Sequence, residues 1–251
     1  MKTNFKDYSK MPVVVERKPN NWFSLHFKKL GLYIDKDYVV KLSKSNSRII
    51  ENDISTNESY NAEFAIKIYK YYQLLNNGNF PKTGRDAKTP ITDVIRMIDL
   101  ENSTNIWRYK DKRPQLLNMV DFIIEDKNCF WERLEKGDIT LVDELRKSSK
   151  AETEGPKSLA SKICKYFSEM FFNKDNYYIN DYVVRHVLPF YMDYYGIEKK
   201  KNTKTYFDNL SYKELYKYID ELRKKVCGSL SKSEVDHIMW YCYRFESVSD
   251  E

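Results

Sequence analysis

Apolar positions recur along most of this chain at three- and four-residue spacing, the period of one helix face. In "SYNAEFAIKIYKYYQLLNN", residues 59–77, Ala62, Ala65, Ile66, Tyr69, Tyr72 and Leu75 keep that spacing, and Asn76, Asn77 and Gly78 end it. "TPITDVIRMIDL" places Pro90 directly after Thr89, the combination expected at a helix entrance. "RPQLLNMVDFIIEDKNCFWERLEKGD" predicts one or two helices stopped by Gly137, and "ITLVDELRKSS" a short one. The clearest loop of the first half is "FPKTGRDAKTP", with two prolines and a glycine. The run Val13 to Val15 has the character of a short strand, broken by Pro19 and an Asn pair.

The second half opens on the polar stretch "SSKAETEGPKS". After it come a predicted helix through "SLASKICKYFSEMFF", a loop "NKDNYYIN", a helix through "DYVVRHVLPFYMDYYG" and a basic loop "IEKKKNTK". The last two helices, in "SYKELYKYIDELRKKVCG" and "SKSEVDHIMWYCYRF", start at Ser211 before Glu214 and Ser231 before Glu234. Each is an S-x-x-E capping box, in which both side chains satisfy orphan amides of the first turn. A domain boundary is expected near residue 150, separating residues 1–150 from 151–251 unless the halves interweave.

Composition agrees with this pattern. The chain has 251 residues, 41% of them hydrophobic, enough to fill a core. Seven glycines and seven prolines are few for a turn-dense sandwich or barrel, so the expected fold class is all-α. No apolar run approaches the roughly 20 residues of a membrane span, and the N-terminal sequence lacks an apolar signal region, so a cytoplasmic protein is expected. Cys129, Cys164, Cys227 and Cys242 are too far apart for a structural zinc site or an iron–sulfur cluster and are expected to be buried, reduced thiols. No cofactor or metal is implied.

The net charge of +6 is concentrated at the N-terminus, where residues 1–50 hold 11 Lys/Arg against 4 Asp/Glu. Lys18 and Lys28 lie there among Trp22, Phe23 and Phe27. Cations neutralise phosphates and aromatic faces stack on unpaired bases, so this segment is a candidate nucleic-acid surface; a solvated face over a small aromatic core is the alternative.

The chemistry-bearing stretch is "EGPKSLASKICKYF", residues 154–167. Its helix places Ser158 and Lys162 one turn apart on about the same face. Asp181, 19 residues beyond Lys162, opens the next helix, where a carboxylate can cap free amides. "EGPKSLASKICKYF…YYINDYVVRHVL" resembles the hairpin, helix and aspartate segment of the helix-hairpin-helix (HhH-GPD) DNA glycosylases, closest to the 8-oxoguanine glycosylase branch. Gly155 to Lys157 match the hairpin turn, Ala160 the small residue of the next helix, and Asp181 the aspartate heading the one after. The closing "LSKSEVDHIMWYCYRF", with Asp236 and Trp240, is similar to the terminal helix of that branch.

The resemblance covers about residues 155–245 and implies a helix-hairpin-helix element in the C-terminal half, DNA as partner, and excision of a damaged or modified base. The hairpin amides of Gly155, Lys157 and Ser158 would hold a phosphate, and the nucleotide would be flipped into a pocket lined by Trp240. Asp181 would stabilise the positive charge that develops on the sugar. In bifunctional members a lysine amine attacks the sugar and forms a Schiff base. Here Ser158 stands at that position, with Lys157 just before it and Lys162 one turn after it. The amine is therefore Lys162, or Lys157, or Asp181 works alone. A Lys-, Asn- and Tyr-rich chain suits an AT-rich bacterium or its phage, where such an enzyme serves repair or phage defence. The rival readings are a nucleic-acid-binding module without chemistry and a helical protein-interaction factor.

Overall fold

The computed structural model describes residues 32–33, 39–56, 80–101, 104–152, 155–198 and 204–242. Among these residues the chain is all-helical, with no strand. The expected helix over 59–77, the run Val13 to Val15, and Lys18 and Lys28 lie outside the described residues. Among the described residues ten α-helices follow one another: α1 Lys44–Thr56, α2 Lys88–Glu101, α3 Arg113–Ile124, α4 Phe130–Lys136, α5 Thr140–Ser148, α6 Lys157–Phe172, α7 Tyr182–Tyr194, α8 Lys204–Asp208, α9 Tyr212–Cys227 and α10 Lys232–Cys242. No described helix is long and apolar enough to cross a membrane.

The chain forms two units, each built from separate stretches. The first comprises Met1–Glu58, Asp181–Leu210 and Lys217–Glu251; the second comprises Ser59–Asn180 and Ser211–Tyr216.

In the second unit, α2 packs on α3 and α6, α3 on α4 and α5, and α6 on α2, α4 and α5. The apolar stripes that meet are Ile91, Val94, Ile95 and Ile98 of α2, Leu116, Met119, Val120 and Ile123 of α3, and Leu141, Val142 and Leu145 of α5. Around α6 the core is aromatic. Phe167 lies 5.5 Å from Trp131 in a stacked arrangement and 5.3 Å from Phe171 edge to face. Trp131 satisfies its indole N–H on the Lys82 carbonyl at 2.6 Å, and the Lys82 ammonium sits 4.7 Å from the Phe172 ring centroid. Gly137 ends α4 at φ 73, in the left-handed region that suits glycine, with the Asn176 side chain packed where a Cβ would go.

The helix α6 departs from the amphipathic pattern. Its residues Leu159 to Ser168 are buried without interruption, including Ser161, Lys162, Lys165 and Ser168. Burial of polar groups is tolerable only when they are paired. Ser161 Oγ donates to the Ser158 carbonyl at 3.0 Å and accepts the Asn180 amide at 2.8 Å. Lys165 Nζ lies 3.1 Å from Glu169 and 3.4 Å from Asp175, and Ser168 Oγ donates to the Lys174 carbonyl at 2.8 Å. The start of α9 closes the same unit: the Tyr212 hydroxyl donates to the Tyr178 carbonyl and accepts the Tyr178 amide, both at 2.9 Å. Burial pushes the Tyr212 phenol well above its ordinary range, so it stays neutral.

The cysteine expectation is corrected at Cys129. Cys164 is buried, and desolvation pushes its thiol up, but Cys129 is exposed and Cys227 only half-buried. Cys129 stands at φ 47 in the turn before α4, outside that helix's apolar face.

In the first unit, α10 packs on α1 and α7, and α8 on α7. The Tyr191 hydroxyl of α7 donates to the Val40 carbonyl at 2.6 Å, and buried Asn46 ties α1 to the Tyr33 and Lys41 carbonyls. Both expected capping boxes are present: Ser211 Oγ accepts the Glu214 amide at 3.3 Å, and Ser231 Oγ accepts the Glu234 amide at 3.1 Å.

Glu234 also accepts hydrogen bonds from Lys44 at 2.8 Å and Ser47 at 3.0 Å. Burial would raise its carboxyl, but Lys44, the Ser231 amide and Ser47 outweigh burial and hold it below the ordinary carboxylate value. A depressed folded value contributes stability above the unfolded value and loses it as pH falls through the folded one. Glu51 runs the other way, raised by burial and then by Glu234, so its contribution is lost as pH rises. Glu234→Gln is therefore expected to lower stability at neutral pH and flatten its decline below pH 4, in denaturant titrations at several pH values. Glu51→Gln is not expected to lower it at neutral pH.

Candidate functional site

The loop entering α6 is a compact turn. Gly155 sits at φ 66, and a Cβ there would come within 3.2 Å of the Arg146 carbonyl and of Ser149 Oγ. Both constraints call for glycine. Pro156, at φ −80 and ψ 74, is the centre of an inverse γ-turn in which the Lys157 amide donates to the Gly155 carbonyl at 2.9 Å. The Ala160 amide returns to the Pro156 carbonyl at 3.0 Å. Among the described residues no hydrogen bond engages the amides of Ser158 and Leu159, the first-turn donors a helix leaves open to an external acceptor.

Gly155, Lys157 and Ser158 thus lie together at the start of α6, each half-buried. Lys162, one turn on from Ser158, is only 6% exposed. It is not the solvated lysine of an amphipathic helix.

Asp181 heads α7 in the first unit. Its backbone is extended, its side chain is 8% exposed, and Oδ1 accepts the Val184 amide at 2.9 Å. This is the N-cap expected of it. The second carboxylate oxygen, Oδ2, makes no hydrogen bond among the described residues. Tyr182, the next residue, is 44% exposed and lies over His186, ring centroids 3.8 Å apart. His186 Nδ1 is 2.6 Å from the Tyr182 carbonyl, and the residue is buried beside its own helix. Trp240 is half-buried on α10, the helix that packs on α7.

Sequence reasoning missed Ser161. Its hydroxyl holds the amide of Asn180, the residue immediately before Asp181, and so fixes the end of the loop leading into α7. A buried serine inside a helix carries no sequence signal of its own; only its separation of 19 residues from Asn180 repeats that of Lys162 from Asp181. Among the described residues no group of His, Cys, Asp and Glu side chains is arranged to hold a metal ion.

Comparison of the chain with protein-family models, curated proteins and solved structures returns no match.

Proposed function

We propose that the protein is a DNA glycosylase that flips a damaged or modified nucleotide out of the duplex and cleaves its N-glycosidic bond. The observation that carries this reading is Asp181: a carboxylate nine-tenths buried, held in place through Oδ1 by the Val184 amide, with Oδ2 left for other work. As the bond breaks, its electron pair leaves with the base and positive charge develops on the sugar; a fixed carboxylate stabilises that charge, and water completes the hydrolysis. The turn at Gly155 and the open amides of Ser158 and Leu159 support a hairpin-like grip on a backbone phosphate, with Lys157 beside it. Trp240 is assigned to the base pocket. The biological setting that fits is DNA repair or phage defence.

The lyase step rests on Lys162, whose burial separates it from ordinary surface lysines. Attack of its amine on the sugar C1′ would displace the base and, after ring opening, leave an imine between Nζ and C1′. Borohydride reduces that imine to a stable adduct. With duplexes carrying 8-oxoguanine, uracil or modified cytosines, the expected result is a trapped protein–DNA adduct that Lys157→Gln retains and Lys162→Gln loses. Abasic sites without any adduct would remove Lys162 from the chemistry and leave Asp181 acting alone. A second reading, a DNA-binding module without chemistry, is favoured by Ser158 at the position where the bifunctional pattern has its lysine; it predicts binding with no abasic site from any duplex.

A further inference from the structure

The turn between α2 and α3 is densely cationic. Residues 106–113, "IWRYKDKR", hold four cations and one carboxylate, Asp111. Several other described cations of the unit are paired: Lys88 with Asp121, Arg133 with Asp138 and Glu144, Lys136 with Glu132, and Lys174 with Glu135. Among the described residues, Arg96, Arg108, Lys110, Lys112 and Arg113 make no salt bridge. Arg96, Arg108, Lys110 and Lys112 are exposed, and Tyr109 in their midst is 54% exposed.

The turn is built to hold this display. Asp99 of α2 is fully buried; its Oδ1 accepts the Ile106 amide at 2.9 Å and the Thr104 hydroxyl at 2.6 Å, and its Oδ2 accepts the Trp107 amide at 2.7 Å. Asn105 takes the left-handed conformation at φ 54 that lets the chain double back, one that Asn tolerates. The Tyr109 amide donates to the Ile106 carbonyl, and the Lys112 and Arg113 amides donate to the Tyr109 carbonyl. Arg113 Nε donates to the Trp107 carbonyl at 2.8 Å, and the Arg96 and Arg113 guanidinium carbons each lie 5.2 Å from the Trp107 ring centroid. Keeping these like charges close is unfavourable without an external anion, so a fixed cluster of unmatched cations around an exposed ring fits a polyanion that carries flat groups.

We propose that this turn is a second DNA-contact surface, one that binds an unpaired stretch of strand. Arg96, Arg108, Lys110, Lys112 and Arg113 meet its phosphates, and Tyr109 stacks on a base. Cations set the affinity through counterion release, and the ring supplies sequence-tolerant stacking. The proposal rests on the DNA reading above but not on its chemistry.

The test is fluorescence anisotropy with a labelled oligo(dT) of about 20 nucleotides, at several salt concentrations, against a duplex of equal length and a polyglutamate competitor. The doubly substituted R108E/K110E protein is expected to bind oligo(dT) at least tenfold more weakly, and its log–log salt slope to fall by about 1.4, since each single-strand phosphate contact contributes about 0.7. Tyr109→Ala is expected to weaken binding about tenfold with the slope unchanged, and Tyr109→Phe to bind as wild type. Lys110→Glu alone, at an exposed side chain, keeps the test open if the double substitution impairs folding. Wild-type binding by R108E/K110E or by Tyr109→Ala, or polyglutamate displacing the oligonucleotide as well as unlabelled oligo(dT) does, would overturn the proposal. Weakened binding in a protein that never releases a base would leave this surface standing and remove the excision reading; base release with unchanged binding would do the reverse.

Discussion

Asp181→Asn is expected to slow base release by about 10²–10⁴-fold while leaving folding and duplex binding unchanged. The substitution separates the N-cap of α7 from the catalytic role proposed for the same side chain. As the N-cap of α7, Asp181 uses Oδ1 to accept the Val184 amide. Asparagine caps about as well as aspartate, so Asp181→Asn should leave stability within about 0.5 kcal/mol of wild type. What it removes is the negative charge. If Asp181 were a cap and nothing more, Asp181→Asn would be silent in every assay, and only Asp181→Ala would register, as a loss of about 0.5–2 kcal/mol in stability. Single-turnover rates, measured with a filter-binding check that the duplex is still held, distinguish the two cases.

The largest effect on stability is expected at Phe167→Ala, about 3–5 kcal/mol, read as a fall in the urea midpoint. Phe167 is fully buried near the middle of α6, and its ring contacts Phe130, Trp131 and Phe171. Removing it opens a cavity inside a cluster of which two other members are held from outside: Trp131 by its bond to the Lys82 carbonyl, and Phe171 by the Lys82 ammonium 5.5 Å from its ring centroid. Such a site collapses poorly, which places the cost toward the upper end of that range. Phe167→Leu keeps most of the volume and should cost clearly less. A loss below about 1 kcal/mol for the alanine variant would mean that the aromatic cluster is not the centre of this unit's stability.

The helices were readable where the determinants are local. Ser211 with Glu214, and Ser231 with Glu234, mark helix starts because both partners of each capping box lie within four residues. Gly137 marks the end of α4 for a similarly local reason, a left-handed backbone. Asp181 as the head of α7 belongs to the same class.

What sequence periodicity could not convey was the environment of α6. Ser161, Lys162, Lys165 and Ser168 are polar residue types, so the helix reads as amphipathic, yet all four are buried. Partners from the loop after the helix make that burial possible: Asn180 for Ser161, Asp175 for Lys165 and the Lys174 carbonyl for Ser168. The short helix Lys204–Asp208 falls at the end of a stretch that reads as a basic loop. The cationic turn at 106–113 was hidden by averaging, because residues 51–150 together are nearly neutral. Its organiser, Asp99, looks in the sequence like one more polar position on α2 and is fully buried.

The excision reading is tested most directly by chromatographic detection of free base from a panel of duplexes containing 8-oxoguanine, uracil or modified cytosines, incubated with stoichiometric wild-type protein. The account predicts release of one free base and a matching abasic strand from at least one duplex, with both products depressed about 10²–10⁴-fold by Asp181→Asn. Every duplex recovered intact, or equal release by wild type and Asp181→Asn, would contradict it.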